Sequence, residues 1–116
     1  MRMKPEVPEV SFESLDLAGA VGVIAGKWKI RIICHLFGGT KRFHELHRVL
    51  SGISRGTLTF ELRRLQKDGI VDRTQYSTIP PTVEYKLTAT GQKLRPIVVA
   101  LDEWSSLLPS EDKNSS

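Results

Sequence analysis

The chain lacks most of the groups on which enzymes, membrane proteins and secreted scaffolds depend. It has a single cysteine, Cys34, in 116 residues. One thiol cannot build an internal disulfide framework and suits a reducing cytoplasm, the expected location. No apolar run approaches the roughly 18 residues of a membrane span, so no membrane partner is expected. Pro5, Glu6, Pro8 and Glu9 follow the basic Met1-Arg2-Met3-Lys4, where a secretory signal would have an apolar core. Glycine-rich phosphate loops, nucleophile-elbow serines and periodic carboxylate pairs are absent. No catalysis and no cofactor are expected.

Histidine is scarce. His44 and His47 stand i, i+3 on a short predicted helix, close enough to share a metal, but nothing nearby completes a ligand set, and no metal site is expected. Cys34, among Ile32, Ile33 and Leu36, reads as a small buried hydrophobe.

Positive charge, by contrast, is concentrated. From Lys27 to Arg73 there are 11 Lys or Arg against 4 Asp or Glu, while the remainder has 6 against 9. A localised basic patch is the electrostatic footprint of a nucleic-acid binder, although the same count fits a solvated surface.

The apolar pattern predicts one domain over residues 14–108, with a flexible arm at 1–13 and a disordered tail at 109–116. Ser14 is placed to cap a first helix reaching about Ala25, with Leu17, Val21 and Ile24 on one face. A second helix, Lys27 to Phe37, ends at Gly38-Gly39. Thr40 or Lys41 opens a third, with Phe43, Leu46, Val49 and Leu50 together. Ser54 has the chemistry of an N-cap for a fourth, in which Leu58, Leu62 and Leu65 turn inward until Asp68-Gly69 stops it. Ile70–Tyr76 and Val83–Leu87 read as a hairpin whose tip carries Pro80-Pro81, since prolines cannot donate to a ladder. A last helix runs from Thr88 or Thr90 to about Leu108, bent or split by Pro96. The expected fold is mainly α with a small β-hairpin wing, a winged helix-turn-helix.

The fourth helix offers what DNA recognition needs. Arginine bonds guanine bidentately, and threonine meets base edges, thymine methyls or phosphate. Ser54, Arg55, Gly56, Thr57, Thr59, Phe60, Arg63 and Arg64 are the candidates there. Gly56 would allow close backbone approach, and Phe60 would either touch thymine methyls or fold back on the domain. On the hairpin, Arg73, Tyr76, Ser77 and Thr78 are candidates for phosphate or minor-groove contact. The last helix is apolar on more faces than one small domain can cover. A two-fold copy could cover them, through Leu15, Leu17, Val21, Ile97, Leu101, Trp104 and Leu108. Alternatives are a winged helix that binds protein, or a dimer whose DNA binding is modulated by a metal or small-molecule effector.

Five motifs in order resemble one family. They are Gly26-Lys27-Trp28-Lys29, Lys41-Arg42-Phe43-His44-Glu45-Leu46, and Gly52-Ile53-Ser54 with the leucine helix running to Asp68-Gly69-Ile70-Val71. Pro80-Pro81-Thr82-Val83-Glu84-Tyr85-Lys86-Leu87-Thr88 follows, then Leu94-x-Pro96 with Trp104. Together they resemble the HxlR-type bacterial transcriptional regulators, relatives of the MarR group, over about residues 15–105. The resemblance implies a winged helix-turn-helix homodimer, joined through its first and last helices, on an inverted-repeat operator in double-stranded DNA. Many such regulators sense electrophiles or oxidants through a cysteine near the start of the first helix. Leu15 stands there in this chain, which leaves Cys34 or a bound ligand as the route for any signal. Phe60 is a second departure, since relatives often place a polar residue there.

Overall fold

The computed structural model describes residues 16–109; Ser14, Leu15, the expected arm and nearly all of the expected tail lie outside the described residues. The elements in order are α1 (Leu17–Ile24), α2 (Lys29–Leu36), β1 (Lys41–Arg42), α3 (Phe43–Val49), α4 (Arg55–Lys67), β2 (Val71–Tyr76), β3 (Thr82–Leu87), α5 (Ala89–Gln92) and α6 (Leu94–Ser105). The fold is mainly helical, with a three-stranded antiparallel sheet in the order β1-β3-β2.

The core fills the angle between α2, α3, α4 and the sheet. Ile32, Ile33 and Leu36 of α2 meet Leu46 of α3 and Leu58, Leu62 and Leu65 of α4, with Tyr85 and Leu87 of β3 closing the side. The three leucines recur at i, i+4, i+7, so one stripe of α4 is buried and the opposite stripe is left free. Ser54 starts this helix as expected. Its Oγ accepts the Thr57 amide at 3.0 Å, satisfying a donor that a helix start would otherwise leave open. The other end is a Schellman turn. Gly69 takes φ +76°, its amide donates to Gln66 O at 3.0 Å, and the Ile70 amide donates to Leu65 O at 2.9 Å. The chain thus leaves α4 directly into β2, which fixes the wing relative to the helix.

Four local expectations need correction. Asp16, not Ser14, caps α1, its Oδ1 accepting the Gly19 amide at 2.9 Å. Lys41-Arg42 is a strand rather than the start of α3. It pairs with Tyr85 and Glu84, adding a third strand to the expected hairpin. The last helix is split, one of the two expected outcomes, but at Lys93 rather than at Pro96. Pro96 is the third residue of α6, where the amide it lacks would have had no helical partner. Cys34 is exposed, not buried: at 100° per residue it lies off the Ile32–Leu36 stripe, on the side of α2 facing α6.

Candidate nucleic-acid interface

Opposite the buried leucines, α4 presents Gly56, Phe60, Arg63 and Lys67, spaced i, i+4, i+7, i+11, and all four are exposed. Phe60 does not fold back: it is 55% exposed, and the Arg64 guanidinium lies 5.5 Å from its ring centroid. Arg55 is held in the same manner over Phe43 of α3, at 5.1 Å. Ser54 and Thr57 are tied to each other, with Ser54 Oγ donating to Thr57 Oγ1 at 2.9 Å.

Two concavities flank this ridge. A hollow of about 510 Å³ brings Thr59, Arg63 and Gln66 of α4 together with Arg73 of β2, over Phe43 and Tyr85. Thr59, Arg63 and Arg73 were expected at the site and meet here; Gln66 was not anticipated. A notch of about 320 Å³ lies between the start of α4 and the wing, where Arg55, Arg42 and His44 face Pro80 and Pro81. Arg42 and His44 were also missed. Arg42 stands where the sequence implies the opening of a helix, and His44 belongs to a histidine pair from which no metal site is expected. Lys67 was missed as well, although its spacing from Phe60 and Arg63 would have found it.

Tyr76, Ser77 and Thr78 are exposed at the far end of the wing and line neither concavity. The Thr78 hydroxyl is committed locally, 2.8 Å from Pro80 O and 3.0 Å from Thr82 Oγ1. Glu84, on the neighbouring strand, raises the Tyr76 phenol above its ordinary pKa through its charge and a hydrogen bond.

Away from the ridge, α1 and α6 bury no residue. Leu17, Val21, Ile97, Leu101, Trp104 and Leu108 are between 43% and 57% exposed, and Val99 and Leu107 are exposed as well. The start of α6 is fixed to α2: Arg95 Nη2 donates to Phe37 O at 2.9 Å and its guanidinium stacks 4.6 Å over the Phe37 ring. Between the two helices a groove of about 510 Å³ holds Cys34, Val98, Leu101 and Asp102. Partial burial and then the Asp102 carboxylate push the Cys34 thiol above its ordinary pKa. Among the described residues no group of three or more His, Cys, Asp or Glu could hold a metal. No described helix is long and apolar enough to cross a membrane.

The sequence pattern of the HxlR-like helix-turn-helix family matches residues 23–113. An uncharacterized HTH-type transcriptional regulator of Bacillus subtilis, YybR, is 48% identical over 92 residues, spanning 79% of this chain and 74% of the relative. A solved structure of a MarR-family regulator from Enterococcus faecalis superposes with a TM-score of 0.77 at 34% identity, covering 95% of this chain and 99% of that one. The redox regulator HypR in its reduced form superposes with a TM-score of 0.74 at 43% identity, covering 78% and 89%.

Proposed function

This chain belongs to the HxlR-like helix-turn-helix family of DNA-binding transcriptional regulators, and from that membership we propose that it acts as a homodimer on an inverted-repeat operator. The observation that carries the dimer is the pair of uncovered apolar faces on α1 and α6, neither of which buries a residue within the protomer. A two-fold copy would cover both at once. Leu17, Val21, Ile97, Leu101, Trp104 and Leu108 would form the contact, continued by Leu15.

Each protomer would lay α4 in a major groove, with half-sites about 34 Å apart or a multiple of that. Arg55, Gly56, Thr57, Thr59, Phe60 and Arg63 face base edges in this reading, Phe60 against thymine methyls. Ser54, Arg64, Arg73, Tyr76, Ser77 and Thr78 flank them toward the phosphates. The affinity would be strongly salt-dependent, as expected when Lys and Arg displace condensed counterions. Sedimentation of the free protein and of its complex with a selected duplex tests the assembly. Two protomers per duplex and a free dimer at micromolar concentration are expected; a free monomer, or one protomer per duplex, overturns the proposal.

A second reading adds an effector. The Cys34 groove lies between the recognition domain and α6, so a small apolar molecule seated there would alter how the two are set. Thermal-shift screening against quinones, aldehydes and metals, repeated on Val98→Arg, at a position that lines the groove but is not among the dimer residues, tests it; a ligand that stabilises both forms equally does not sit in the groove.

A further inference from the structure

The wing ends in an unusual chemical group for a structure that approaches a polyanion. Ile79 is 99% exposed. From Ser77 to Thr82 there is no charged residue. The tip is nevertheless organised, because Thr78 Oγ1 is bonded to Pro80 O at 2.8 Å and to Thr82 Oγ1 at 3.0 Å. Such an end draws no help from Coulomb attraction, and it is held in shape while showing an aliphatic side chain to solvent.

Its position relative to the notch gives it a destination. Arg42, His44 and Arg55 line one wall of that notch and Pro80-Pro81 the other. On a duplex, the ridge that separates a major from a minor groove is a sugar-phosphate backbone, the part of DNA that cationic side chains hold. With α4 in the major groove, a backbone seated against Arg42 and His44 leaves the adjacent minor groove for whatever lies beyond Pro80. We infer that Ile79 and Pro80 form an apolar minor-groove wedge that reads the shape of the DNA flanking each half-site, with Arg42 and His44 seating the backbone beside it. The inference rests on the operator-binding reading above.

A B-form minor groove is only about 6 Å wide, so an isoleucine enters only where the duplex opens or unstacks. Pyrimidine–purine steps deform readily and A-tracts resist, and apolar side chains are what minor-groove binders insert at such steps. The wedge would therefore favour flexible TA or CA steps beside the half-site and disfavour A-tracts, with no hydrogen bond to any base there.

The test uses the full-length protein and one selected inverted repeat, synthesised with TA-step flanks or with A-tract flanks. Fluorescence anisotropy should give tighter binding to the TA-step duplex by about fivefold or more. Ile79→Ser should bring the two duplexes to equal affinity while base preference inside the half-sites, set by α4, persists. Arg42→Ala should lower the slope of log affinity against log salt by about 0.9, the release expected for one phosphate contact, and should keep the flank preference. Equal binding of the wild-type protein to both flanks overturns the wedge, as does flank preference that survives in Ile79→Ser. If random-pool selection yields no inverted repeat at all, the operator reading has failed, and that outcome is distinct from a repeat found without flank preference.

Discussion

Replacing Trp104 with alanine should break the dimer without unfolding the protomer. Trp104 is 55% exposed on a helix that buries none of its residues, so its indole adds little to the protomer core. A large aromatic side chain offers about 200 Å². Burying the exposed half at about 25 cal/mol per Å² is worth about 3 kcal/mol per copy, and two-fold symmetry counts it twice. If only half of that surface is covered in the dimer, the loss is about 3 kcal/mol, and if all of it is, about 6 kcal/mol. The dimer dissociation constant should therefore rise by about 10² to 10⁴. Sedimentation equilibrium across nanomolar to micromolar concentrations reads this directly, and far-UV circular dichroism at a concentration where the variant is monomeric checks the fold. An unchanged dissociation constant in a folded Trp104→Ala protein would refute the assignment of α6 to the interface.

Other substitutions test other parts of the account. Gly91→Ala should cost about 1–3 kcal/mol through overpacking, seen as a lower Tm, because an added Cβ would collide with the Ile70 carbonyl and come within 3.2 Å of Leu87 Cδ2. Ser54→Ala should cost about 1 kcal/mol in urea unfolding through loss of the α4 cap; no change would mean that the cap is not needed. Glu45 accepts the Arg42 amide at 2.7 Å, and this bond is the main cause of its lowered pKa. A carboxylate lowered on folding contributes stability at pH above its unfolded value, and that contribution is lost as pH falls through the folded value. Glu45→Gln should therefore flatten the acid limb of the stability curve and leave the neutral region with little pH dependence from this group. The Cys34 thiol is held protonated above its ordinary range, so alkylation by iodoacetamide at neutral pH should be slower than for an unstructured cysteine peptide. Faster labelling would contradict a thiol raised by partial burial and by the Asp102 carboxylate.

Much of this architecture is legible in the amino-acid order because it rests on strong local rules. The leucine spacing of α4, the Ser54 cap and the Asp68-Gly69 stop each act within one or two turns, and each appears in the structure as the sequence implies. β1 is invisible to the same reasoning. Two residues cannot display a period of two, and Lys41-Arg42 becomes a strand only because Tyr85 and Glu84 lie beside it. That tertiary pairing also brings Arg42 to the notch, which is why it was missed. Cys34 misled because its sequence neighbours are apolar while its helical face is not that of Ile32, Ile33 and Leu36. Gln66 joins Arg73 through the Schellman turn, which sets the angle between α4 and β2 and so decides what shares the hollow. By contrast, Phe60 at the centre of the outward ridge follows from helical arithmetic alone, once the leucines are taken as buried.

The most direct measurement is selection of bound sequences from a random DNA pool, run in parallel on the wild-type protein and on Arg63→Ala. If the side of α4 that faces away from the leucines meets the base edges, the wild-type protein enriches a two-fold symmetric motif, and the variant loses preference at one position in each half, with a loss of about 1–3 kcal/mol. An identical motif and affinity from both proteins would show that this side of the helix is not what meets the DNA.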